Sequence, residues 1–312
     1  MQTHREVLTP DALGLLQAVS AAGSFAAAAR SLGLVPSAVT YRVRQIEDAL
    51  DVLLFDRSSR QARLTAAGAE LLRSGELLLQ EIDAVAHRVK RVATGWEAQL
   101  TIAMDTVVSC STAMELAEAF YAMAPTTRLR LVHEALSGTL EALLSGRADL
   151  ALGVTMEPGN SVGIHSRLLG DLTWVFAVAP HHPLARAREP LGDELLQKHR
   201  AIAVADSTPR GAGLTVGLLG GQDVLTVPTM QAKLDAQLRG LGGGFLPEPM
   251  AQPYLDTGRL VARQVERPTR IARMSYAWRT GTPGPGRALQ WWLAQLESET
   301  TRDALLFRHR NA

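Results

Sequence analysis

The sequence predicts an α/β fold with an all-α-rich N-terminal part, and three observations lead to this prediction. Residues 10–64 carry short helical patterns in close succession, followed by a small β-hairpin pattern. Residues 65–94 then keep a helical pattern without an internal proline, which is unusually long for a globular helix. After Gly95, short apolar runs alternate with helical patterns, as they do in mostly parallel sheets.

The composition indicates a globular protein with two or three modest domains. The chain has 312 residues, of which 46% are hydrophobic, and a net charge of +1, so any nucleic-acid binding must come from local clusters of basic residues. Cys110 is the single cysteine, which excludes an internal disulfide framework and a Cys-rich zinc site. Because we find neither a signal-peptide core nor a run of roughly 20 apolar residues, we expect a cytoplasmic protein without a membrane partner.

The N-terminal helices are predicted over residues 10–22, 24–32 and 37–51, with Ser24 and Ser37 as N-caps. One apolar stripe of the third helix would pack against the two preceding helices. This stripe consists of Val39, Val43, Ile46 and Leu50.

The other side of the third helix carries hydroxyl, phenol and guanidinium groups. They belong to Ser37, Thr40, Tyr41, Arg42 and Arg44. Such a helix start can meet phosphates through its dipole and base edges through its side chains, although any solvated helix also has a polar face. The wider context decides between these readings, because two helices and an Arg-rich hairpin follow the layout of a winged helix-turn-helix domain. We therefore predict that the third helix enters the major groove of double-stranded DNA.

The segment GSFAAAARSLGLVPSAVTYRVRQIEDALDVLLFDRSSRQARLTAAG resembles the DNA-binding domain of LysR-type transcriptional regulators. In that family, SF..AA..L precedes the recognition helix and LF.R....LT.AG closes the wing. The resemblance implies that Pro36, Ser37, Thr40 and Tyr41 face operator DNA and that Arg57 reaches it from the wing. We expect Arg42 and Arg44 to bind phosphates rather than bases. Pro36 and Tyr41 stand where the family more often has Gln and Arg, so base preferences do not carry over from other members. The complete DNA-binding set that we predict is Ser24, Pro36, Ser37, Thr40, Tyr41, Arg42, Arg44, Arg57 and Arg60.

The long helix carries a repeating apolar seam with spacings of four and three residues. The seam consists of Leu71, Gly75, Leu78, Ile82, Val85, Val89 and Val92. A partner chain would cover it, so we predict a dimer. The dimerisation residues that we predict are Leu71, Leu78, Ile82, Val85 and Val89. The alternative is an ordinary amphipathic helix that lies on its own domain.

The C-terminal part resembles the same family in the segments LRLVHEALSGTLEALLSGRADLALGV, AVAPHHPLA and LRGLGGGFLPEPM. GWEAQLTIAMD, IAVADST and LTVPTM further resemble a subgroup that includes an enteric regulator responding to aromatic compounds. The resemblance implies a two-lobed effector domain of the periplasmic-binding-protein type. The implied organisation is a DNA-binding domain at 1–64, a linker and dimerisation helix at 65–94, and an effector domain at 95–312, with lobe I at 98–171 and 268–312 and lobe II at 172–267.

Strands and helices of the C-terminal part are read from its apolar runs and helical patterns. Strands are predicted at residues 99–105, 128–134, 148–154, 174–179, 201–205, 225–228, 243–246 and 274–279. Helices are predicted at residues 111–122, 139–144, 230–241 and 286–298.

Polar side chains follow several of these strands, where ligands collect in open α/β sheets. They are Asp105, Thr106, Ser109, Glu134, Ser137, Asp206, Ser207 and Thr229. Each alone can be a helix cap or a turn former; as a set they predict an effector site. Helix starts among them favour an anionic ligand such as a carboxylate, but three carboxylates would repel a purely anionic one. The subgroup resemblance makes an aromatic effector the other candidate. An amine or phenol donor on the effector would suit those carboxylates.

Two other classes of function compete with a regulator. An enzyme could use Cys110 or a histidine, but no recognised catalytic motif surrounds any of them, and His181 and His182 lie in a turn where packing is favoured over metal binding. We expect Cys110 to be a small buried or pocket-lining residue. A pure ligand carrier would not need the Arg-bearing wing. We therefore predict a LysR-type transcriptional regulator without a cofactor or metal, whose partners are operator DNA, a small-molecule effector, further copies of itself as a dimer and tetramer, and RNA polymerase.

Overall fold

The computed structural model describes residues 4–56, 62–123, 127–155, 163–208, 216–279 and 284–309. The chain divides into two compact units, Met1–Val89 and Lys90–Ala312. Within the described residues no single helix is both long and apolar enough to cross a membrane; one pair, Pro10–Ala22 with Phe25–Ser31, passes only when combined and is bent by 118°.

The N-terminal unit contains short helices, a two-stranded hairpin and most of a long helix. These elements are α1 (His4–Val7), α2 (Pro10–Ala22), α3 (Phe25–Ser31), α4 (Pro36–Leu50), β1 (Phe55–Asp56), β2 (Arg63–Leu64) and α5 (Ala66–Thr94). Their buried side chains form one core, which includes Leu16, Val19, Val39, Val43, Ile46 and Phe55. The predicted helices, hairpin and long helix are all present, and α1 was not predicted.

The start of α4 differs from the prediction. Val35 is the N-cap and makes no side-chain capping bond, and Pro36 is the first helical residue. Proline suits this position because its fixed φ matches the helix and its missing N–H would be unpaired there anyway. The prediction that Ser37 caps this helix was therefore wrong.

The hairpin is tied to α4 by a buried carboxylate. Glu47 is 4% exposed, and its Oε1 accepts hydrogen bonds from the backbone N–H groups of Leu54 at 2.8 Å and Phe55 at 3.3 Å. The hairpin itself pairs Phe55 with Leu64 and Asp56 with Arg63 in antiparallel register. This contact fixes the base of the wing relative to the helix that precedes it.

The C-terminal unit alternates strands and helices, which confirms the predicted α/β fold class. Its elements are β3 (Gln99–Asp105), α6 (Cys110–Tyr121), β4 (Arg128–Glu134), α7 (Gly138–Leu144), β5 (Leu150–Val154), β6 (Ile164–Val178), a 3-10 helix (Pro183–Arg186), α8 (Asp193–Gln197), β7 (Ala201–Val204), β8 (Val224–Val227), α9 (Met230–Leu238), β9 (Gly244–Pro247), α10 (Glu248–Asp256), β10 (Val261–Arg263), β11 (Arg270–Arg279), α11 (Arg287–Glu297) and α12 (Glu299–Phe307).

Two long strands connect the two halves of this unit. β6 pairs with β11 from Ile164 to Trp174, and then with β9 and β10 from Trp174 to Val178. β3 is parallel to β4 and β5 at one end, and β7 is parallel to β8 at the other. We call the half built on β3, β4 and β5 the first lobe, and the half built on β7, β8, β9 and β10 the second lobe.

The sequence missed the first ten residues of β6 and the whole of β10. The segment IHSRLLGDLT has no continuous apolar run, and all four of its side chains from His165 to Leu168 are exposed. Pairing with β11 rather than burial makes this segment a strand. The helix α10 was missed because Pro253 lies inside it.

Candidate functional site

The polar face of α4 is exposed. Val39, Val43 and Ile46 are at most 1% exposed, whereas Tyr41 is 63% exposed. The other exposed residues on this helix include Pro36, Ser37, Arg42 and Arg44. The core of the unit therefore uses one side of α4 and leaves the predicted DNA-facing side uncovered.

Two side chains on this face are held by bonds within the helix. Thr40 Oγ1 donates to the carbonyl oxygen of Pro36 at 3.0 Å, so the hydroxyl remains available as an acceptor. Gln45 Nε2 donates to Tyr41 Oη at 3.1 Å, which orients the phenol and leaves its proton free to donate. Gln45 is not among the residues predicted from the sequence, although its spacing of four residues from Tyr41 on a helix places the two side chains side by side.

Of the predicted DNA-binding residues outside α4, the structure describes Ser24 but not the two arginines of the wing. The Ser24 hydroxyl accepts from the backbone N–H of Ala27 at 3.1 Å and caps α3. Arg57 and Arg60 lie outside the described residues.

The apolar seam of α5 is split between two environments. Leu71 packs partly against the N-terminal core, and Gly75 is buried where an added Cβ would lie 2.9 Å from Leu13 Cδ2. The later members are exposed by 46% to 70% of their surface. These exposed residues are Leu78, Ile82, Val85, Val89 and Val92.

The C-terminal unit brings four predicted effector residues together across its two lobes. Ser207 Oγ donates to the Glu134 carboxylate and accepts from the N–H of Ala135, the latter at 2.9 Å. Ser137 Oγ donates to Asp206 Oδ2 at 2.6 Å. We call Glu134, Ser137, Asp206 and Ser207 the cleft network.

A missing side chain permits this close approach. A Cβ on Gly138 would lie 1.9 Å from Ser207 Oγ and 2.8 Å from Glu134 Oε2. A side chain at this first position of α7 would displace the Ser207 hydroxyl from its place beside the Glu134 carboxylate.

Asp105 lies beneath the network in a buried position. Its Oδ1 accepts from the N–H of Val107 at 3.0 Å, and its Oδ2 accepts from the N–H of Leu136 at 3.1 Å. Burial, with a smaller contribution from the charge of Asp206, raises the pKa of this carboxyl to about 7 against the opposing effect of these two bonds. The Asp105 carboxyl can therefore gain or lose its proton near neutral pH.

Arg147 neutralises the other buried carboxylate. Its Nη1 lies 2.7 Å from Glu134 Oε1, and its Nη2 pairs with Glu141. Arg147 is not among the residues predicted from the sequence. Its position just before β5 was the available signal, because β5 lies in the same sheet as β4.

Two of the remaining predicted effector residues, Ser109 and Thr229, cap helices. Ser109 is 1% exposed, caps α6, and donates its hydroxyl to the carbonyl of Arg308 at 2.5 Å, so it bonds to the chain after α12 and not to the cleft network. Thr229 caps α9 by accepting from Ala232. Thr106 is half-buried, and its backbone N–H donates to the carbonyl of Glu134 at 3.1 Å.

Two other sequence predictions concern residues outside the cleft. His182 Nδ1 accepts from the N–H of Leu184 at 3.2 Å and so shapes the turn, and burial lowers its pKa. Cys110 is exposed, so of the two predicted alternatives the buried thiol was wrong. Helix α6 begins at Cys110, one residue earlier than predicted, and this puts the thiol in its first turn.

Comparisons with known proteins match both units. The family described as "Bacterial regulatory helix-turn-helix protein, lysR family" matches residues 10–69, and "LysR substrate binding domain" matches residues 93–301. Two similar relatives are HTH-type transcriptional regulators of Escherichia coli. YeeY is 39% identical over 90% of this chain and 91% of its own, and the probable regulator YhaJ is 38% identical over 93% and 96%. The relatives' names support the prediction that the chain is a regulator and not an enzyme.

A solved structure with a similar fold is that of full-length CbnR complexed with its target DNA. It covers 93% of this chain and 99% of its own at 18% identity, with a TM-score of 0.61. At this identity the likeness concerns the fold alone.

Proposed function

The chain belongs to the LysR family of bacterial transcriptional regulators, and from that premise we propose how its own residues bind DNA and effector. Helix α4 and the wing contact operator DNA, α5 pairs two chains, and a small molecule enters between the two lobes of the C-terminal unit. The observation that carries this proposal is the cleft network, because it joins the lobes through groups that a ligand can replace.

On the DNA side, we assign base contacts to the exposed start of α4. The Tyr41 phenol, oriented by Gln45, can donate to a base acceptor, and Thr40 can accept from a base or meet a thymine methyl group. Arg42 and Arg44 are exposed and suit phosphate contacts, which supply affinity without sequence selection.

On the effector side, ligand donors compete with the serines of the cleft network. Ser207 and Ser137 donate to carboxylates of Glu134 and Asp206, so an amine or phenol on the ligand can take their place. Arg147 already balances Glu134, and Asp105 can hold a proton near neutral pH. These two groups would permit a ligand that also carries an aromatic ring or a carboxylate.

The regulatory step is a shift between two lobe arrangements. A ligand changes the arrangement only by as much as it binds one more tightly than the other. In our proposal the network stabilises one arrangement without ligand, and the ligand stabilises another by satisfying the same carboxylates. The change would re-angle the paired DNA-binding domains and alter DNA bending and contact with RNA polymerase.

Assembly through α5 follows from its uncovered seam. A run of exposed apolar side chains at coiled-coil spacing is stabilised by burial against a second copy. A dimer places two copies of α4 on an interrupted inverted repeat, and a tetramer would form through the C-terminal units.

Selection of bound duplexes from a random pool tests the DNA assignment. We expect full-length protein to enrich an interrupted inverted repeat, and Thr40→Ala to lose preference at one base pair in each half while remaining dimeric. Ser166→Ala, an exposed change on β6, is the control and should select the same repeat. Recovery of no common sequence by the wild-type protein would contradict the proposal.

A further inference from the structure

The second lobe contains a hollow with a cationic wall that the cleft network does not share. Its apolar lining comes from Phe176, Leu184, Leu196, Ile202, Val216 and Phe245. Lys233, Arg200 and Arg267 also line it, and the network residues do not. We call this space the second-lobe hollow.

Lys233 is a buried ammonium without an acidic partner among the described residues. It lies on α9 and is 7% exposed. Burial, with a smaller contribution from the charge of Arg270, lowers its pKa to about 8. Arg200 and Arg267 differ, because Arg200 pairs with Asp223 at 2.8 Å and Arg267 with Asp193 at 2.9 Å.

Arg270 adds a second cation at the edge of the hollow. Its guanidinium carbon lies 5.0 Å from the centre of the Trp174 ring, and within the described part of the chain it forms no ion pair. Its Nη1 lies 3.9 Å from the place where a Cβ on Gly217 would be, and Gly217 lines the hollow. Burial lowers the pKa of Arg270 as well, so its charge is poorly solvated.

A buried amide beside Lys233 is also unsatisfied. Gln237 is 0% exposed, and neither its Nε2 nor its Oε1 has a hydrogen-bond partner among the described residues. Gly244 leaves room for both side chains, because a Cβ there would lie 3.1 Å from Gln237 Nε2 and 3.3 Å from Lys233 Cε. Buried polar groups are normally paired, so an unpaired amide next to an unpaired ammonium indicates that a polar ligand completes this place.

We propose that the second-lobe hollow binds a small organic carboxylate. Its charge lies between Lys233 and Arg270, and its apolar body packs against Phe176 and Phe245, whose ring centres are 5.5 Å apart. A carboxylate supplies the counter-charge that both cations lack, and aromatic walls favour an organic body over a hydrated inorganic ion. This site goes beyond the effector site proposed above and does not depend on it.

Calorimetric titration of the full-length protein with benzoate tests the site. We expect benzoate to bind the wild-type protein, and benzamide, which has the same shape without the charge, to bind at least about tenfold more weakly. Lys233→Met should weaken benzoate at least about tenfold, while the exposed change Lys198→Met should leave it unchanged. Equal benzoate affinity in the wild type and Lys233→Met would overturn the proposal, and so would inorganic phosphate binding as tightly as benzoate.

A second measurement uses the wild-type protein, so its result does not depend on whether Lys233→Met folds correctly. The chain has three lysines, Lys90, Lys198 and Lys233, so lysine labelled with ¹³C at Cε gives few NMR signals. Benzoate should raise the pKa of Lys233 towards the ordinary lysine value and leave the Lys198 signal unmoved. An unchanged Lys233 titration at saturating benzoate would overturn the assignment.

Discussion

The hydroxyl of Ser207, in the second lobe, donates a hydrogen bond to the carboxylate of Glu134, in the first lobe. The same hydroxyl accepts from the backbone N–H of Ala135. One small side chain thus joins the lobes at the end of β4, where sequence reasoning expects a ligand.

Ser207→Ala removes both of these bonds and leaves the Glu134 oxygen and the Ala135 N–H without this partner. We expect the free energy of unfolding of the C-terminal unit to fall by about 1–3 kcal/mol, as it does for buried groups that lose their partner. Urea unfolding followed by tryptophan fluorescence measures the change. Ser166→Ala on the exposed part of β6 should stay within about 0.5 kcal/mol of wild type, and an equal loss in both variants would contradict the role of Ser207.

The raised pKa of Asp105 predicts a pH-dependent stability. The pKa of Asp105 is about 7 in the folded state against an ordinary 3.8. At pH values between these two, the folded state therefore keeps a proton that the unfolded state has lost. The contribution of Asp105 is fully present below the ordinary pKa and is lost as pH rises through about 7, by up to about 4 kcal/mol. The free energy of unfolding should therefore fall as pH rises from 4.5 to 8. Asp105→Asn should reduce this dependence on pH.

The control for this pH profile is the exposed Asp235→Asn on α9. It should follow the wild-type curve. A slope that persists unchanged in Asp105→Asn would show that another group causes it.

Tyr41→Phe separates base reading from phosphate binding on α4. Loss of the Tyr41 hydroxyl should reduce the discrimination between the right and wrong base at one base pair by about 1–3 kcal/mol, with little change in binding to unrelated DNA. Arg42→Gln should instead weaken all duplexes alike and reduce the slope of log affinity against log salt by about 1. Fluorescence anisotropy with matched duplexes distinguishes the two results; a uniform loss in Tyr41→Phe would remove Tyr41 from base reading.

Val85→Lys places a charge in the exposed seam of α5. We expect dissociation into monomers at micromolar concentration, because a desolvated charge opposes packing of the seam against a second copy. Sedimentation velocity measures the change. Asp83→Lys, which is exposed on another side of the same helix, should remain dimeric. Identical sedimentation of Val85→Lys and wild type would exclude this seam as the interface.

Local sequence patterns predicted many of the helices and strands, but they could not predict contacts between residues that are distant in the sequence. The bounds of β3 and β4 could be predicted because each strand is an apolar or alternating run that ends in a carboxylate. Pairing of Ser207 with Glu134 brings together residues 73 positions apart, and no local pattern reveals such a contact. The burial of Lys233 could not be predicted either, because in the sequence it is an ordinary polar residue of a helix and only the fold buries it.

Operator recognition is tested most directly by comparing the selected inverted repeat with a shuffled duplex of equal length, using full-length protein at 50 to 300 mM salt. We expect at least about 10³-fold tighter binding to the repeat and a steep decline of affinity with salt. Equal affinity for both duplexes, or affinity that does not change with salt, would contradict operator recognition.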